Sequence, residues 1–448
     1  MSIQPLTVGI LTLGCKVNQY ESEAISEAFL ARGYRVLPIS ENCDAYVINT
    51  CTVTAESDRK CRQMIRRAIH RNPQAYILVT GCLGQTDPKQ LASIKGVDYI
   101  CGNAKKLSVV DVADELFKQG YKNSTPKILH TAPEAHGFEP MCISGFDRTR
   151  VYIKIQDGCE NKCAYCIIPT ARGKIRSKAP QDVIDEVCAF AAKGCPEIVL
   201  TGIETASYGR DLQDCNLADL LCQVDRIPGI GQVRLGSLDP SLIKKDFVDR
   251  IAPLSCLAPH FHLSMQSGSD GVLARMRRKY NTRMALEAME RLREAIPGVQ
   301  FTTDMIAGFP GETEEEFSET LDFIRRARFL MIHAFPYSRR KGTEADSMPN
   351  QIDDGIKHDR VRRIMEMQSQ IQSEILAEYV GRTCPVLFET YENGVAIGHT
   401  PSFIEVSCQT DTPIRSEQRQ VRITRVCNGK CVGELVNAPL KKGFHHEV

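Results

Sequence analysis

The sequence that decides the fold is QDGCENKCAYCIIPTARGKIRS, residues 156–177, in which Cys159, Cys163 and Cys166 have C-x3-C-x2-C spacing. It overlaps the end of the apolar run VYIKIQ, which predicts a strand. Three thiolates in one short loop can hold three irons of a [4Fe–4S] cube, and no fourth cysteine lies nearby in the sequence. Because ferredoxins and structural zinc sites use four protein ligands, one iron is left open to another ligand. The alternatives are three buried free thiols, or a zinc site with a distant fourth ligand.

The spacing of these cysteines resembles the cluster motif of the radical S-adenosylmethionine (radical SAM) enzymes. The resemblance implies that Cys159, Cys163 and Cys166 bind the catalytic [4Fe–4S] cluster and that S-adenosyl-L-methionine chelates its open iron. It also implies a partner protein that donates the reducing electron. A metallocofactor suits this chemistry, because no acid–base side chain can abstract hydrogen from an unactivated C–H bond.

Length and composition limit the remaining possibilities. The 448 residues allow two or three domains, and a formal net charge of +1 means that any charge for binding nucleic acid must be local. Nineteen cysteines without a recognisable export signal indicate reduced, intracellular thiols. No run of about 18 apolar residues predicts a membrane span. We therefore expect a cytoplasmic protein with no membrane partner; its oligomeric state is left open.

Residues 1–140 are predicted to form a doubly wound parallel sheet of the α/β class. Continuous apolar runs (VGILTL, AYVINT and AYILVTG) alternate with amphipathic or polar helical segments, which is the pattern of strands covered on both faces. A fourth strand is predicted at VDYICGN.

Three cysteines of this region, Cys15, Cys51 and Cys82, each stand where a predicted strand ends and a helix begins. The carboxyl ends of parallel strands meet at one edge, where such sheets bind ligands, and helix N-termini there favour an anionic group. One strand-end cysteine would be an ordinary small hydrophobe. Three in equivalent positions predict a second iron–sulfur cluster, whereas Cys101, inside an apolar run, is predicted to be structural.

The motifs around these cysteines are LGCKVNQYES, INTCTVT and VTGCLGQ (residues 13–22, 48–54 and 79–85). They resemble the N-terminal domain of the radical SAM methylthiotransferases. The resemblance implies a second, auxiliary [4Fe–4S] cluster held by three cysteines. KVNQYES is more similar to members that act on threonylcarbamoylated tRNA than to those that act on isopentenylated tRNA or on a ribosomal protein.

Residues 146–378 are predicted to contain six βα units, fewer than the eight of a closed barrel, and hence an open, partial (βα)6 barrel. Gly202 and Glu204 follow one predicted strand. The small size of Gly202 and the carboxylate of Glu204 suit the binding of an ammonium group. Ser264 and Gln266, at the end of another, suit a ribose. The resemblance implies that these segments contact S-adenosyl-L-methionine.

Residues 379–448 are predicted to form a small antiparallel β-barrel, which resembles the RNA-binding TRAM domain. Tyr391 and Phe403 are its candidate base-stacking residues. Candidate contacts to phosphate or carboxylate groups are the arginines of this domain and two basic clusters upstream: Arg415, Arg419, Arg422 and Arg425; Arg172, Lys174, Arg176 and Lys178; and Arg339, Arg340 and Lys341. Such clusters are also common on plain solvated surfaces.

Taken together, the resemblance implies an enzyme that inserts a methylthio group at C2 of N6-threonylcarbamoyladenosine, next to the anticodon of tRNA. The alternatives within the family are isopentenyladenosine in tRNA or a ribosomal protein as the substrate. A different class of function, a non-catalytic iron–sulfur protein that binds RNA and senses redox state, would produce no 5′-deoxyadenosine.

Overall fold

The structure is a computed structural model that describes residues 5–133, 137–145 and 149–436. The described chain divides into two compact units. The N-terminal unit contains the segment up to Gly145 together with Lys154–Lys178 and Ser338–Asp346, and the C-terminal unit contains the remainder. The loop with Cys159, Cys163 and Cys166 is therefore grouped with the N-terminal sheet.

The N-terminal unit is built on a six-stranded sheet in the order β2-β1-β3-β4-β5-β6. Its strands and helices are β1 (Thr7–Thr12), α1 (Lys16–Ala31), β2 (Arg35–Leu37), β3 (Ala45–Thr50), α2 (Ala55–Arg71), β4 (Tyr76–Gly81), α3 (Cys82–Thr86), α4 (Pro88–Ala92), β5 (Tyr99–Cys101), α5 (Ser108–Gln119) and β6 (Lys127–Leu129). All neighbouring strands pair in parallel, which confirms the predicted doubly wound sheet.

Two apolar clusters cover the two faces of this sheet. Strand β3 shows why its first four residues are apolar: Ala45 and Val47 pack into the cluster beneath α1 and α5, whereas Tyr46 and Ile48 pack into the cluster beneath α2 and α4. Side chains alternate between the faces of a strand, so a strand covered on both sides needs a continuous apolar run. Cys101 lies in the first cluster, as expected for a structural residue.

The segment that carries Cys159, Cys163 and Cys166 is closed at its base by two short strands. Its elements are β7 (Arg150–Lys154), β8 (Gln156–Asp157), α6 (Ile168–Arg172) and β9 (Arg176–Ser177). Strands β8 and β9 pair antiparallel, with Asp157 opposite Arg176, so residues 158–175 form a closed loop, called here the cysteine loop. Gly158 allows the closure, since an added Cβ would lie 1.9 Å from the carbonyl oxygen of Lys174.

The C-terminal unit contains the rest of the barrel predicted for residues 146–378. Its elements are α7 (Pro180–Ala192), β10 (Glu197–Thr201), α8 (Leu217–Val224), β11 (Gln232–Leu235), α9 (Lys245–Ile251), β12 (His260–Gln266), α10 (Asp270–Arg275), α11 (Thr282–Ala295), β13 (Gln300–Ala307), α12 (Glu314–Ala327), β14 (Met331–Pro336), α13 (Glu344–Ser347, mostly in the N-terminal unit) and α14 (Asp354–Ala377). The strands form two three-stranded sheets, β11-β10-β7 and β12-β13-β14, joined by isolated bridges such as Leu238 to Leu263. This confirms an open barrel of six strands.

The predicted C-terminal barrel is also confirmed, with one pairing that differs from the prediction. It contains β15 (Thr383–Glu392), β16 (Val395–His399), β17 (Glu405–Gln409), β18 (Gln418–Cys427) and β19 (Lys430–Leu435). The ring closes in the order β15-β16-β17-β19-β18, and β17 and β19 pair parallel. An odd number of strands cannot alternate direction around a closed ring, so one neighbouring pair has to be parallel. The barrel is therefore antiparallel at every other pairing.

Phe403 of this barrel is only partly buried but already lies in an aromatic stack, and the prediction that it stacks on a nucleobase is wrong. The rings of His260 and His399 lie parallel to it on either side, with centroids 4.6 Å away in both cases. The guanidinium groups of Arg150 and Arg234 lie within 6 Å of the ring centroid. Both faces of the ring are thus occupied by residues of the chain itself.

Glu389, beside this stack, should make stability depend on pH in acid. Its carboxylate accepts a hydrogen bond from His399 (2.5 Å) and pairs with Arg150 (2.7 Å). Burial alone would raise the pKa of Glu389, but these hydrogen bonds and positive charges lower it from 4.5 to about 2. A carboxyl with a depressed pKa contributes stability above its unfolded pKa and loses it as the pH falls through the folded value. The contribution is at most about 3 kcal/mol.

We therefore expect the free energy of unfolding of wild type to exceed that of Glu389→Gln at neutral pH. The difference should shrink from pH 4.5 downwards and vanish near pH 2. Urea unfolding at a series of pH values measures it. A difference that stays constant over this range would show that the charge of Glu389 is not what stabilises the barrel.

Candidate active site

The three strand-end cysteines of the N-terminal unit lie at one edge of the sheet. Cys15 is the N-cap of α1, Cys51 directly follows β3 and Cys82 is the first residue of α3. Strands β1, β3 and β4 are neighbours, so their carboxyl ends bring the three thiols together at what we call the three-cysteine edge. The thiol of Cys82 interacts electrostatically with those of both Cys15 and Cys51.

Three thiols at one edge suit an auxiliary iron–sulfur cluster in ligand type and number, and their role as ligands stays a prediction. Among the described residues, no three Cys, His, Asp or Glu side chains are close enough to hold one metal ion together. Ligands of one zinc ion crowd around it at about 2.3 Å, whereas in a four-iron cube each thiolate binds a different iron and the sulfurs stand further apart. Burial raises the pKa of the Cys51 thiol to about 11, so binding of cationic iron there would release a proton.

Gly14 is the residue that lets Cys51 approach the loop after β1. Its φ is +108°, and an added Cβ would lie 2.8 Å from the Cβ of Cys51 and 3.0 Å from its Sγ. Cys61 supports the same residue from below, since its Sγ lies 3.3 Å from the carbonyl oxygen of Cys51. The position of Cys51 thus depends on a glycine before α1 and on a buried thiol of α2.

Gly14→Ala should displace Cys51 and reduce iron binding at the three-cysteine edge. Gly33→Ala is the matched control, because its φ is +83° and an added Cβ would meet no described atom within 4 Å. Both variants acquire backbone strain of about 1–3 kcal/mol, and Gly14→Ala adds overpacking of about the same size. Iron analysis after anaerobic reconstitution and guanidinium unfolding measure the two effects. Equal iron content and stability in the two variants would contradict the expectation.

In the cysteine loop, Cys159, Cys163 and Cys166 are all partly exposed. The backbone N–H groups of Asn161 and Ile168 donate to the Sγ atoms of Cys159 and Cys166, both at 3.4 Å. N–H donors to sulfur stabilise a thiolate and tune the potential of a cluster bound to it. These three cysteines therefore have the exposure and the donors that an iron–sulfur site requires; their role as ligands stays a prediction.

A buried charge network joins the cysteine loop to the three-cysteine edge. Its members share nearly complete burial and mutual ion pairs: Glu21, Lys106, Lys154, Asp157 and Arg172. Arg172, from the loop, lies 2.9 Å from Glu21 of α1 and 3.0 Å from Asp157. It also donates to Asn18 Oδ1 at 2.5 Å. Lys154 bridges the two carboxylates at 2.7 Å and 2.6 Å.

The network carries one more cation than carboxylates. Burial alone would raise the pKa of Glu21, but Arg172, Lys106 and Lys154 hold it well below its ordinary value. Burial lowers the pKa of Arg172, yet Asp157 and Glu21 outweigh this and keep it well above its ordinary value. Arg172 also interacts electrostatically with Cys15 and Cys82. Its charge therefore offsets that of thiolates at the three-cysteine edge.

Two basic clusters assigned to substrate anions are largely engaged within the chain, and that prediction is wrong for most of them. In the first cluster Arg172, Arg176 and Lys178 are buried and only Lys174 is exposed. For Arg172, Arg176 and Lys178, the sequence shows the positive charge but does not show the distant residues that bury it.

In the second cluster, Arg340 pairs with Asp58 at 2.7 Å and donates to Thr52, next to Cys51. Arg339 pairs with Asp346 at 3.0 Å. The contacts of Arg340 fasten the segment Ser338–Asp346 to the start of α2. Lys341 remains exposed.

The candidate cofactor residues of the barrel lie at the carboxyl ends of its strands. Gly202 and Glu204 follow β10, and Ser264 and Gln266 end β12. All four are partly exposed. Gln266 has a φ of +69° at a register shift between β12 and β13, a strained conformation of the kind found at ligand-binding sites. Their contact with a cofactor stays a prediction.

An open barrel of six strands with a C-x3-C-x2-C loop after its first strand defines the radical SAM class of enzyme. Comparison with known proteins agrees. Residues 153–324 match the Radical SAM superfamily, and residues 7–102 match the uncharacterized protein family UPF0004. The radical SAM methyltransferase TsrM from Kitasatospora setae has a similar fold, with a TM-score of 0.53 and 15% identity over 88% of this chain and 81% of that one.

Sequence relatives define the family more narrowly. The chain is 40% identical to "Threonylcarbamoyladenosine tRNA methylthiotransferase MtaB" of Bacillus subtilis (strain 168), over 89% of this chain and 90% of the relative. It is 36% identical to the protein of the same name from Aquifex aeolicus, over 84% and 91%. It is 34% identical to "tRNA-2-methylthio-N(6)-dimethylallyladenosine synthase" of Thermoanaerobacter pseudethanolicus, over 85% and 81%. The chain belongs to the radical SAM tRNA methylthiotransferase family, whose members use S-adenosyl-L-methionine and [4Fe–4S] clusters.

Proposed function

We propose that this enzyme inserts a methylthio group at C2 of N6-threonylcarbamoyladenosine in tRNA. The observation that carries the choice of substrate is the order of the relatives. Those named for threonylcarbamoyladenosine are 35–40% identical, whereas the relatives named for dimethylallyladenosine are 32–34% identical. The resemblance of the KVNQYES segment to members that act on threonylcarbamoylated tRNA favours the same substrate.

Two sets of three cysteines would hold the two clusters. Cys159, Cys163 and Cys166 suit the radical cluster, with N–H donors at two sulfurs, and Cys15, Cys51 and Cys82 suit the auxiliary cluster. Bound there, [4Fe–4S] clusters supply one-electron reduction of S-adenosyl-L-methionine and the chemistry of sulfur transfer.

The protein side chains around these cysteines bind and orient. The Arg172 guanidinium neutralises negative charge at the three-cysteine edge. In the barrel, the Glu204 carboxylate is suited to the ammonium group of the cofactor, and Ser264 and Gln266 are suited to its ribose. The glycine at position 202 leaves space for the methionyl part.

The proposed partners are tRNA and a reducing electron donor protein, and the proposed location is the cytoplasm. Reduced thiols and a tRNA substrate both favour that compartment. None of the helices in the described residues is long and apolar enough to cross a membrane. The C-terminal barrel is proposed as a TRAM-like RNA-binding module, with Arg422 and Arg425 on its exposed surface.

Mass spectrometry of tRNA nucleosides from cells with and without this chain tests the proposal. We expect the 2-methylthio derivative of threonylcarbamoyladenosine only when the chain is present. A methylthio group found instead on isopentenyladenosine or on a ribosomal protein would replace the proposed substrate. Purified protein that releases no 5′-deoxyadenosine under anaerobic reduction would favour the non-catalytic, redox-sensing alternative.

A further inference from the structure

Helix α2 carries a concentration of positive charge. Residues 59–86 contain no Asp or Glu, and residues 59–71 contain six Arg and Lys residues, in a chain of formal net charge +1. The two acids at the start of the helix are already engaged, Glu56 by Arg59 and Asp58 by Arg340. The charge of the helix is therefore not balanced within it.

The positive side chains project from one side of the helix. Its buried side consists of Cys61, Ile65 and Ala68. Arg59, Lys60, Arg66 and Arg67 are exposed, and we call these four residues the α2 basic face. Because Arg59 and Arg66, like Lys60 and Arg67, are seven residues apart, they form two adjacent rows along the helix. With Arg71, the positive charge extends over about 18 Å at 1.5 Å per residue.

Glu56 pairs with Arg59 and also lies near Lys60, whereas Arg66 and Arg67 have no ion-paired acidic neighbour among the described residues. The side chains of Lys60, Arg66 and Arg67 have neither a hydrogen bond nor an ion pair within the part of the chain that the structure describes. Two exposed arginines on other helices are paired, Arg283 with Glu287 and Arg325 with Asp322. An unbalanced positive face is the electrostatic signature of a surface that binds a polyanion.

The position of the face relates it to the candidate active site. Helix α2 begins four residues after Cys51, and Val53 between them is an exposed apolar residue with 52% of its surface accessible. Phosphate contacts along a surface fix the register of a nucleic acid, whereas its bases enter the site that reads or modifies them. A strand held along α2 would have one end beside the three-cysteine edge, where the helix begins.

We infer that the α2 basic face is a docking surface for the phosphate backbone of the tRNA substrate. The inference rests on the proposed function, since it takes tRNA as the polyanion. It assigns tRNA contacts to the N-terminal unit, in addition to those expected of the C-terminal barrel. Most of the basic residues that the sequence pointed to are buried or paired, whereas Arg66 and Arg67 of α2 are exposed and have no ion pair among the described residues.

The test compares two pairs of adjacent, exposed helical arginines. Arg66→Gln/Arg67→Gln removes two charges from the face, and Arg325→Gln/Arg326→Gln on α12 is the matched control. Binding of tRNA that carries threonylcarbamoyladenosine is measured from about 50 to 200 mM salt. We expect weaker binding for the α2 variant only, with the slope of log K against log salt lowered by about 2, or 1 per lost phosphate contact.

Release of 5′-deoxyadenosine without tRNA should be equal in wild type and both variants, which shows that folding and cofactor cleavage are intact. An α2 variant that binds tRNA with the wild-type affinity and salt slope would overturn the inference and leave the proposed function untouched. Equal losses in both pairs would also overturn it, as a non-specific effect of net charge. Wild type that neither binds nor modifies this tRNA would instead overturn the proposed function.

Discussion

Replacing Cys163 with alanine should abolish reductive cleavage of S-adenosyl-L-methionine, whereas replacing Cys82 should spare this cleavage and stop methylthiolation. The two cysteines belong to different sets, one in the cysteine loop and one at the three-cysteine edge. A cluster that has lost one of three protein ligands is not held in its site, so each substitution should remove only its own cluster. The measurements are 5′-deoxyadenosine release, methylthiolated nucleoside, and iron and sulfide content of anaerobically prepared protein.

Cys101→Ala is the matched control for Cys82→Ala. Cys101 is also buried at the end of a strand of the same sheet, but its Sγ donates to Thr80 within the apolar core. This variant should retain both clusters and both products. Identical phenotypes for Cys163→Ala and Cys82→Ala, or equal iron loss in Cys101→Ala, would contradict the division of roles between the two sets.

The second large effect is expected at the buried charge network. Arg172→Met should lower the free energy of unfolding of the N-terminal unit by about 3–5 kcal/mol, because the buried oxygens of Asn18, Glu21 and Asp157 lose their charged hydrogen-bond donor. Arg172→Lys keeps the charge but cannot reproduce the forked contacts to Asn18, Glu21 and Asp157, so it should recover only part of the loss.

Hydrogen–deuterium exchange of the β3 amides in increasing guanidinium measures this stability within the N-terminal unit. Lys127→Met is the control, since Lys127 and Glu115 form an exposed ion pair in the same unit. Its loss should cost less than about 1 kcal/mol. A similarly small effect of Arg172→Met would show that the network does not stabilise the unit.

The parallel sheet, the open barrel and the three strand-end cysteines follow from local patterns. Apolar runs and the turns after them are properties of short segments, and each strand of the N-terminal sheet with a continuous apolar run was predictable. The edge strands β2 and β6 are only three residues each and have no such run. They pair because the sheet already exists, so no local signal marks them.

The role of the charged residues was not predictable in the same way. Arg172 and Glu21 are 151 positions apart in the sequence, and nothing near either residue shows that the other will bury it. The sequence shows the charge of Arg172 but does not show that its side chain is buried. Phe403 failed for the same reason, because His260 and His399 cover it only after the chain has folded.

The grouping of the cysteine loop with the N-terminal sheet constrains how such enzymes can be recombined. A chimaera that joined the N-terminal sheet of one relative to the barrel and loop of another would separate Arg172 and Lys154 from the α1 carboxylate that neutralises them. Exchange at this boundary would succeed only if both parents carried matching charges at these positions. Gene fusions should therefore have one junction before the cysteine loop and one after it, so that the loop and α1 come from the same parent.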